Sequence, residues 1–399
     1  MIIVKIIVSF TSYPQRIKTI YQVIESLRKQ TIQADKIILW LSIEEFPNKE
    51  LDLPENLISI DTDGQFEIRW VADNLKSHKK YYYALQEFQK DVVITVDDDT
   101  YYESTMIELL MKSYEIHPFA ISARNVHRIY SYKNRIAPYC TWNYCADERE
   151  NIESLDLCAI GVGAILYPPN CSNSDWFNKN QILSLAENQD DLWLKFQQIQ
   201  SGIPVVYVKS KYNDCTIKGS QKISLMSSNI KKDNDICIQK LCQYYYYAEV
   251  IKKWILDLQE VKAILLDKKK KCIQKLIFYR GREIIIFGAG KYAKYLFLFM
   301  KEFVPEITIE YFLVSNKKGN PNQIDGIPVL EVKNLSKKKS HIIFLGVSEK
   351  VISEIDPIIH SLKNDKWVAV DMLAIKQVYQ GIKAIEEYKV NGISYSSSI

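Results

Sequence analysis

Three consecutive carboxylates, Asp97, Asp98 and Asp99, follow directly on the apolar run VVITV in the stretch VVITVDDDTYY. Carboxylates packed this closely repel one another unless water, a cation or a hydrogen-bond donor sits among them. Their hard oxygens suit magnesium or manganese, which keep several waters and bridge to substrate phosphates. On an extended segment residues i and i+2 point to one side. Asp97 and Asp99 are therefore expected to face a common ligand. Asp98 is expected to turn away or hold the loop, and to tolerate change best. The plain alternative is a solvated acidic turn that caps the next helix.

The elements around this triplet decide between those readings. IIVKIIVSF, KIILWLS, LISIDTDG, FEIRWVAD and DVVITV read as strands. RIKTIYQVIESLRKQ, HKKYYYALQEFQ and TMIELLMKSYEIH carry apolar residues at helical spacing. Strand–helix alternation of this kind predicts a mostly parallel sheet with helices on both faces. Ligands of open α/β sheets lie outside the carboxyl ends of the strands. Three polar clusters fall at such ends: TSYPQR (11–16), NLKSHKK (74–80) and the aspartates. Further on, IGVGAILYPP places Gly161 and Gly163 before a short strand, within an irregular, aromatic-rich region over 120–235. ENQDDLWLKFQQIQSG predicts a helix entered through Asp190 and Asp191, which favour the helix dipole, and stopped by Gly202.

At 399 residues the chain predicts two or three domains, and 47% hydrophobic with 25% charged residues marks an ordinary globular composition. A net charge of +4 is too small to argue for nucleic acid. The eight cysteines form no C-x-x-C pair, so neither zinc nor a disulfide framework is expected, and reduced thiols in a cytoplasmic setting are. MIIVKIIVSF reads as a strand rather than a signal peptide, and no run of about 18 apolar residues predicts a membrane span.

SFTSYPQR, KIILWLS, SHKKYYYAL, ITVDDDTYY, IGVGAILYPP and DDLWLK occur in an order that resembles bacterial glycosyltransferases of the GT-A fold, related to family 2 and typical of capsule and lipopolysaccharide synthesis. The resemblance covers roughly residues 1–235. It implies that Asp97 and Asp99 are the D-x-D pair, holding a divalent cation (Mn2+ or Mg2+) and the donor nucleotide sugar. It implies that DDLWLK is similar to E-D-x-x-L-x-x-R, with Asp191 as the general base of an inverting displacement and Asp190 as the preceding acid. Thr11, Tyr13 and Arg16 become candidates for base and phosphate contact, against a plain turn. His78, Lys79 and Lys80 would meet the diphosphate, against a solvated helix start. Gly161 and Gly163 would let the backbone approach donor or acceptor, against a tight turn. The chain departs from the family where ILWLSIEEFP lacks the acidic D-D-G-S element that reads the nucleobase, and no histidine between 130 and 340 is available as a late metal ligand.

Residues 236–281 read as a helical linker with the run Lys268–Lys271, and 282–399 as a Rossmann-like domain. Trp254, Ile255 and Leu258 beside Lys252 and Lys253 suit a basic amphipathic helix at an anionic membrane surface, against a solvated charged face. IIIFGAGKYAKY matches G-x-G-x-x-A, with Gly288 and Gly290 placed for a diphosphate at a helix N-terminus. Glu310 lies near the distance of a ribose-binding acid. A nucleotide there, or glycines that only serve packing in a scaffold or homo-oligomer, are the two readings.

The expected whole is an α/β transferase at the inner face of the cell membrane, moving sugar to a glycan or lipid-linked acceptor. The rivals are a nucleotidyl- or phospho-transferase that would not need Asp191, and a non-catalytic sugar-nucleotide-binding scaffold.

Overall fold

The structure is a computed structural model. It describes residues 4–60, 64–132, 135–144, 149–210, 215–217, 233–245, 258–335, 340–347, 351–352, 355, 357–358, 361–362 and 365–391. The chain forms two compact units, Met1–Asp257 and Leu258–Ile399.

The first unit is built on seven strands: β1 (Ile6–Thr11), β2 (Lys36–Ser42), β3 (Phe66–Val71), β4 (Val92–Thr95), β5 (Ile121–Ala123), β6 (Ile165–Tyr167) and β7 (Val205–Tyr207). Their order across the sheet is β7-β5-β6-β4-β1-β2-β3. Every pairing is parallel except those of β6, which runs antiparallel to both β4 and β5. The near-continuous apolar runs of β1, β2 and β4 follow from burial on both faces, with Ile7, Val8, Ile38, Leu39, Val93 and Ile94 wholly buried. Helix α1 (Ile20–Arg28) buries Ile20, Val23, Ile24 and Leu27, a stripe at helical spacing. Helices α2 (Lys79–Glu87) and α3 (Met106–Ile116) follow β3 and β4. The helix α4 (Asp190–Ser201) begins at the acidic pair and ends at Gly202 in the left-handed region, φ +66°.

Two expectations change. LISIDTDG is not a strand: Glu55–Ile58 forms a helical turn entered through Pro54, and 61–63 lie outside the described residues. The triplet is not extended either. β4 ends at Thr95 and Asp98–Asp99 occupy a turn, after which Thr100–Tyr101 pairs with Cys215–Thr216.

The second unit has α5 ahead of it in the chain at Asn234–Tyr245, which belongs to the first unit, and opens with α6 (Leu258–Leu276). Six strands follow: β8 (Glu283–Phe287), β9 (Thr308–Val314), β10 (Gln323–Ile324), β11 (Ile327–Glu331), β12 (Ile342–Leu345) and β13 (Lys366–Val368). The order is β10-β11-β9-β8-β12-β13, parallel but for the β10–β11 hairpin. α6, α7 (Lys291–Phe303) and α8 (Met372–Asn391) pack on one face around Leu296, Met300, Ile375 and Val378. The fold class is thus α/β, a large mostly parallel sheet accompanied by a smaller α/β unit. Among the described residues no helix is long and apolar enough to cross a membrane. Lys252, Lys253, Trp254 and Ile255 lie outside the described residues, as does Cys145. Cys158, Cys171, Cys237, Cys242 and Cys272 are free thiols.

Candidate active site

The parallel strands deliver polar groups to one edge, and there the carboxylates of two distant segments meet on one lysine. Lys80, in the first turn of α2, places Nζ 2.6 Å from Asp97 Oδ1 and 3.0 Å from Asp190 Oδ2. Burial works against its charge, yet Asp190, Asp97 and Asp191 lift its pKa well above the usual lysine value. Ser77 donates to Asp190 Oδ1 at 2.7 Å. Burial opposes ionisation of Asp190 too, but Lys80, with help from His78 and Ser77, holds its carboxyl below the usual range. Asp191 is the opposite case. Burial and the neighbouring Asp190 charge push its carboxyl well up, against Lys80 and the Gly161 N–H, which donates to Asp191 Oδ1 at 3.1 Å. The two adjacent carboxyls are thus driven in opposite directions, Asp190 towards ionisation and Asp191 towards its protonated form.

Gly161 is where the two segments close. A Cβ built there would lie 2.6 Å from Lys80 Nζ, 3.2 Å from Asp97 Oδ1 and 3.4 Å from Asp191 Oδ1. Only glycine lets the three approach one point. Gly163 serves packing instead, since its Cβ would strike Asn125 at 2.6 Å. Ala164 then carries φ +76°, a strained backbone for a residue with a side chain, at the entry to β6.

The rest of the aspartate turn is held from the loop after β1. Asp98 accepts from Ser12 Oγ and from Arg16 Nη1, each at 2.6 Å, and Arg16 Nη1 also lies 3.1 Å from Asp99 Oδ2. Burial raises the Asp98 carboxyl, opposed by Arg16 and Ser12; burial and the Asp97 charge raise Asp99. Asp98 holds the loop, one of the two roles expected of it, and its two partners weigh against the further expectation that it tolerates change best. Asp98 is the most deeply buried of the three, and it ties the triplet to the first loop. The i, i+2 argument fails because a turn, not an extended strand, carries the residues.

The remaining candidates lie nearby with other partners. Tyr13 stacks on Arg16, 5.4 Å from guanidinium to ring centroid. Thr11 Oγ1 donates to the Trp40 carbonyl, which fastens β1 to β2. His78 is wholly buried between Tyr81 Oη and the Ala186 carbonyl, and burial pushes its pKa down. Lys79 pairs with Glu45 at 2.6 Å. Of the three basic residues at this helix start, only Lys80 enters the carboxylate cluster.

Sequence reasoning passed over three supports. Ser12, Ser77 and Tyr102 were not among the candidates. Tyr102 Oη accepts the Asp97 N–H at 2.8 Å and donates to the Val162 carbonyl at 3.4 Å, so it links the aspartate turn to the Gly161–Gly163 loop. The buried tyrosine just past three aspartates was the available signal.

In the second unit Gly288 takes φ +115° and donates its N–H to the Leu313 carbonyl at 2.7 Å. A Cβ there would meet the Gly346 carbonyl at 2.8 Å, so this glycine permits two loops to touch. Gly290 stands in open space at the start of α7. Glu310 lies in the first half of β9, exposed, away from the strand's carboxyl end.

Fold and site together define an α/β protein with an acidic cluster at the carboxyl edge of a mostly parallel sheet. No protein-family description matches the chain, and no curated protein sequence matches it. Among solved structures it is similar to S. aureus TarS 1-349 in complex with UDP, at 14% identity over 52% of this chain and 59% of that one, with a TM-score of 0.30. It is also similar to S. aureus TarS at 15% identity, over 52% of this chain and 36% of that one, with a TM-score of 0.30. The chain therefore spans less than two thirds of either structure's length.

Proposed function

We propose that the first unit is a GT-A-type glycosyltransferase that moves a sugar from a nucleotide-sugar donor to a glycan or lipid-linked acceptor of a bacterial surface polysaccharide, with inversion. The observation that carries this reading is the sharing of Lys80 by Asp97 and Asp190, beside an Asp191 that accepts the Gly161 N–H. Asp191 takes the acceptor hydroxyl's proton as that oxygen attacks the anomeric carbon. It does so in its ionised form, and the raised pKa makes that carboxylate a stronger base than an exposed one. Asp190 stays ionised on Lys80 and sets the field that Asp191 feels. Arg16 and Lys80 fix the aspartate turn and offer positive charge to the departing diphosphate.

The donor set fits a divalent cation on Asp97 and Asp99. Four carboxylates, Asp97, Asp98, Asp99 and Asp190, adjoin two cationic side chains, Arg16 and Lys80, which leaves a surplus of hard anionic oxygen. Among the described residues no group of three or more His, Cys, Asp or Glu could hold a metal by itself. Magnesium or manganese would take one or two carboxylates, here Asp97 and Asp99, and complete its shell with waters and substrate phosphates. A bound cation would supply charge neutralisation to the leaving nucleoside diphosphate.

The second unit is read as a scaffold, in which Gly288 serves packing against Gly346. The basic run of α6 suits work at the inner face of the membrane on a lipid-linked acceptor.

The test is incubation with a panel of nucleotide sugars, with and without manganese, reading released nucleoside diphosphate. Release that needs manganese and disappears in Asp191→Asn, with donor binding kept, is the expected result. Nucleoside diphosphate release that survives Asp191→Asn removes Asp191 as the base, and release of sugar phosphate in place of nucleoside diphosphate points to nucleotidyl transfer. Binding without release across a broad acceptor panel points to a scaffold. Metal-dependent nucleotide binding unchanged in Asp97→Asn and Asp99→Asn removes the metal assignment.

A further inference from the structure

Away from the carboxylate cluster, the first unit has an open groove of about 480 Å³ lined by Trp40, Asp73, Tyr82, Tyr83, Gln86 and Glu87. Helix α2 supplies four of these residues and β2 supplies Trp40. The aromatic wall is packed ring against ring. Trp40 and Tyr83 are stacked with centroids 5.1 Å apart, and Tyr82 stands edge-on to Tyr83 at 5.0 Å and to Phe177 at 5.7 Å.

The polar groups around that wall select the ligand. Asp73 is paired with Lys179 at 2.5 Å, and Glu87 with Arg69. Arg69 is shared with Glu67, which Lys36 also holds, and it lies over the Trp40 ring at 5.3 Å, so the rim charges cancel and leave no surplus of either sign to hold a phosphate, an amine or a metal. What remains is hydrogen-bonding capacity. Gln86 donates one amide N–H to the Tyr82 carbonyl at 2.6 Å and keeps its amide oxygen. The Tyr83 hydroxyl is buried and has no hydrogen-bond partner, a costly condition for a polar group. Burial, with the Asp73 charge, pushes the Tyr83 phenol up to about 12, so it is a donor at neutral pH. One phenol donor and several acceptor oxygens beside fixed ring faces and edges match a neutral polyhydroxylated ring. Its hydroxyls satisfy the polar groups while its C–H face lies on the aromatic surface.

The groove is also joined to the cluster. Trp40 Nε1 donates to Ser9 Oγ at 2.9 Å, and Ser9 Oγ donates to the Lys80 carbonyl at 2.5 Å. Tyr83 stands about one helical turn beyond Lys80. We infer that this groove binds one neutral pyranose unit of a glycan, outside the carboxylate cluster and one turn of α2 away from it. Sugar transfer is not needed for this binding, so the inference stands apart from the proposed function.

The experiment is titration of the full chain, by calorimetry and saturation-transfer NMR, with neutral oligosaccharides of glucose, galactose or N-acetylglucosamine. Inorganic phosphate and spermidine serve as ionic probes. At least one saccharide is expected to saturate the protein, with affinity about tenfold weaker in Tyr82→Ala and several-fold weaker in Tyr83→Phe, which removes only the hydroxyl. A nucleoside diphosphate is expected not to displace it. The inference is overturned if no saccharide saturates, if only phosphate or spermidine binds, if Tyr83→Phe binds as tightly as the native chain, or if the nucleoside diphosphate competes. Saccharide binding without any donor turnover would sink the proposed function and leave the groove assignment standing.

Discussion

Lys80 Nζ sits 3.0 Å from Asp190 Oδ2, and this contact joins the start of α2 to the start of α4 inside a buried acidic cluster. The same ammonium holds Asp97 at 2.6 Å. One cation therefore organises both acidic motifs. Its removal leaves buried carboxylates without their counter-charge, which is far more costly than losing a surface pair.

Lys80→Met is accordingly expected to destabilise the first unit by about 3–5 kcal/mol. Lys80→Arg should recover part of that loss, because it keeps the charge. Urea unfolding of the two variants beside the native chain measures this. A loss below about 1 kcal/mol in Lys80→Met would mean the ion pairs are not structural.

Asp191 should trade stability for activity. Its carboxyl has a raised pKa, so the folded state holds a proton that the unfolded chain releases above about pH 4. Stability from this group falls as pH rises towards the folded pKa. Asp190 has the opposite sign: its lowered pKa adds stability above the ordinary carboxylate range, lost as pH falls through the folded value. Asp191→Asn removes the penalised ionisation. Its melting temperature at pH 7 should rise by about 2–4 °C while nucleoside diphosphate release falls at least about 100-fold. Scanning calorimetry from pH 4 to 8 reads the first effect; an unchanged or lowered melting temperature would contradict it.

Asp98→Asn should cost more stability than Asp97→Asn. Asp98 takes two charge-assisted or hydroxyl bonds while buried, and Asp97 has a more exposed side chain, 29%, with one lysine contact that Asp190 also satisfies. A difference of about 1–3 kcal/mol is expected. Equal losses in chemical denaturation would restore the view that Asp98 is dispensable.

Gly161→Ala should weaken the site through packing alone. The new methyl would fall 2.6 Å from Lys80 Nζ, so the lysine must leave Asp97 or the loop must move. Overpacking of this kind costs about 1–3 kcal/mol. Donor affinity measured by calorimetry should drop with it. Native affinity and stability together would show that the loop has room to yield.

Much of this protein is legible along the chain. Apolar runs without polar interruption name β1, β2 and β4 because both faces of a parallel sheet are covered. Asp190 and Asp191 at one end and Gly202 at the other bound α4, because dipole and left-handed backbone act locally. LISIDTDG misled because a short apolar run does not separate a strand from a helical turn, and Pro54 decided for the turn. The clustering at strand ends was legible for the same reason: it depends only on where the strands stop. Tertiary structure alone decided which members of each cluster matter. Lys79 and Lys80 are identical neighbours in sequence, yet one meets Glu45 and the other Asp97 and Asp190. Asp98 and Asp97 differ only in the direction a turn gives them. Those outcomes depend on long-range packing and on the free energy of burying charge, which rewards a carboxylate only where a partner from another segment arrives.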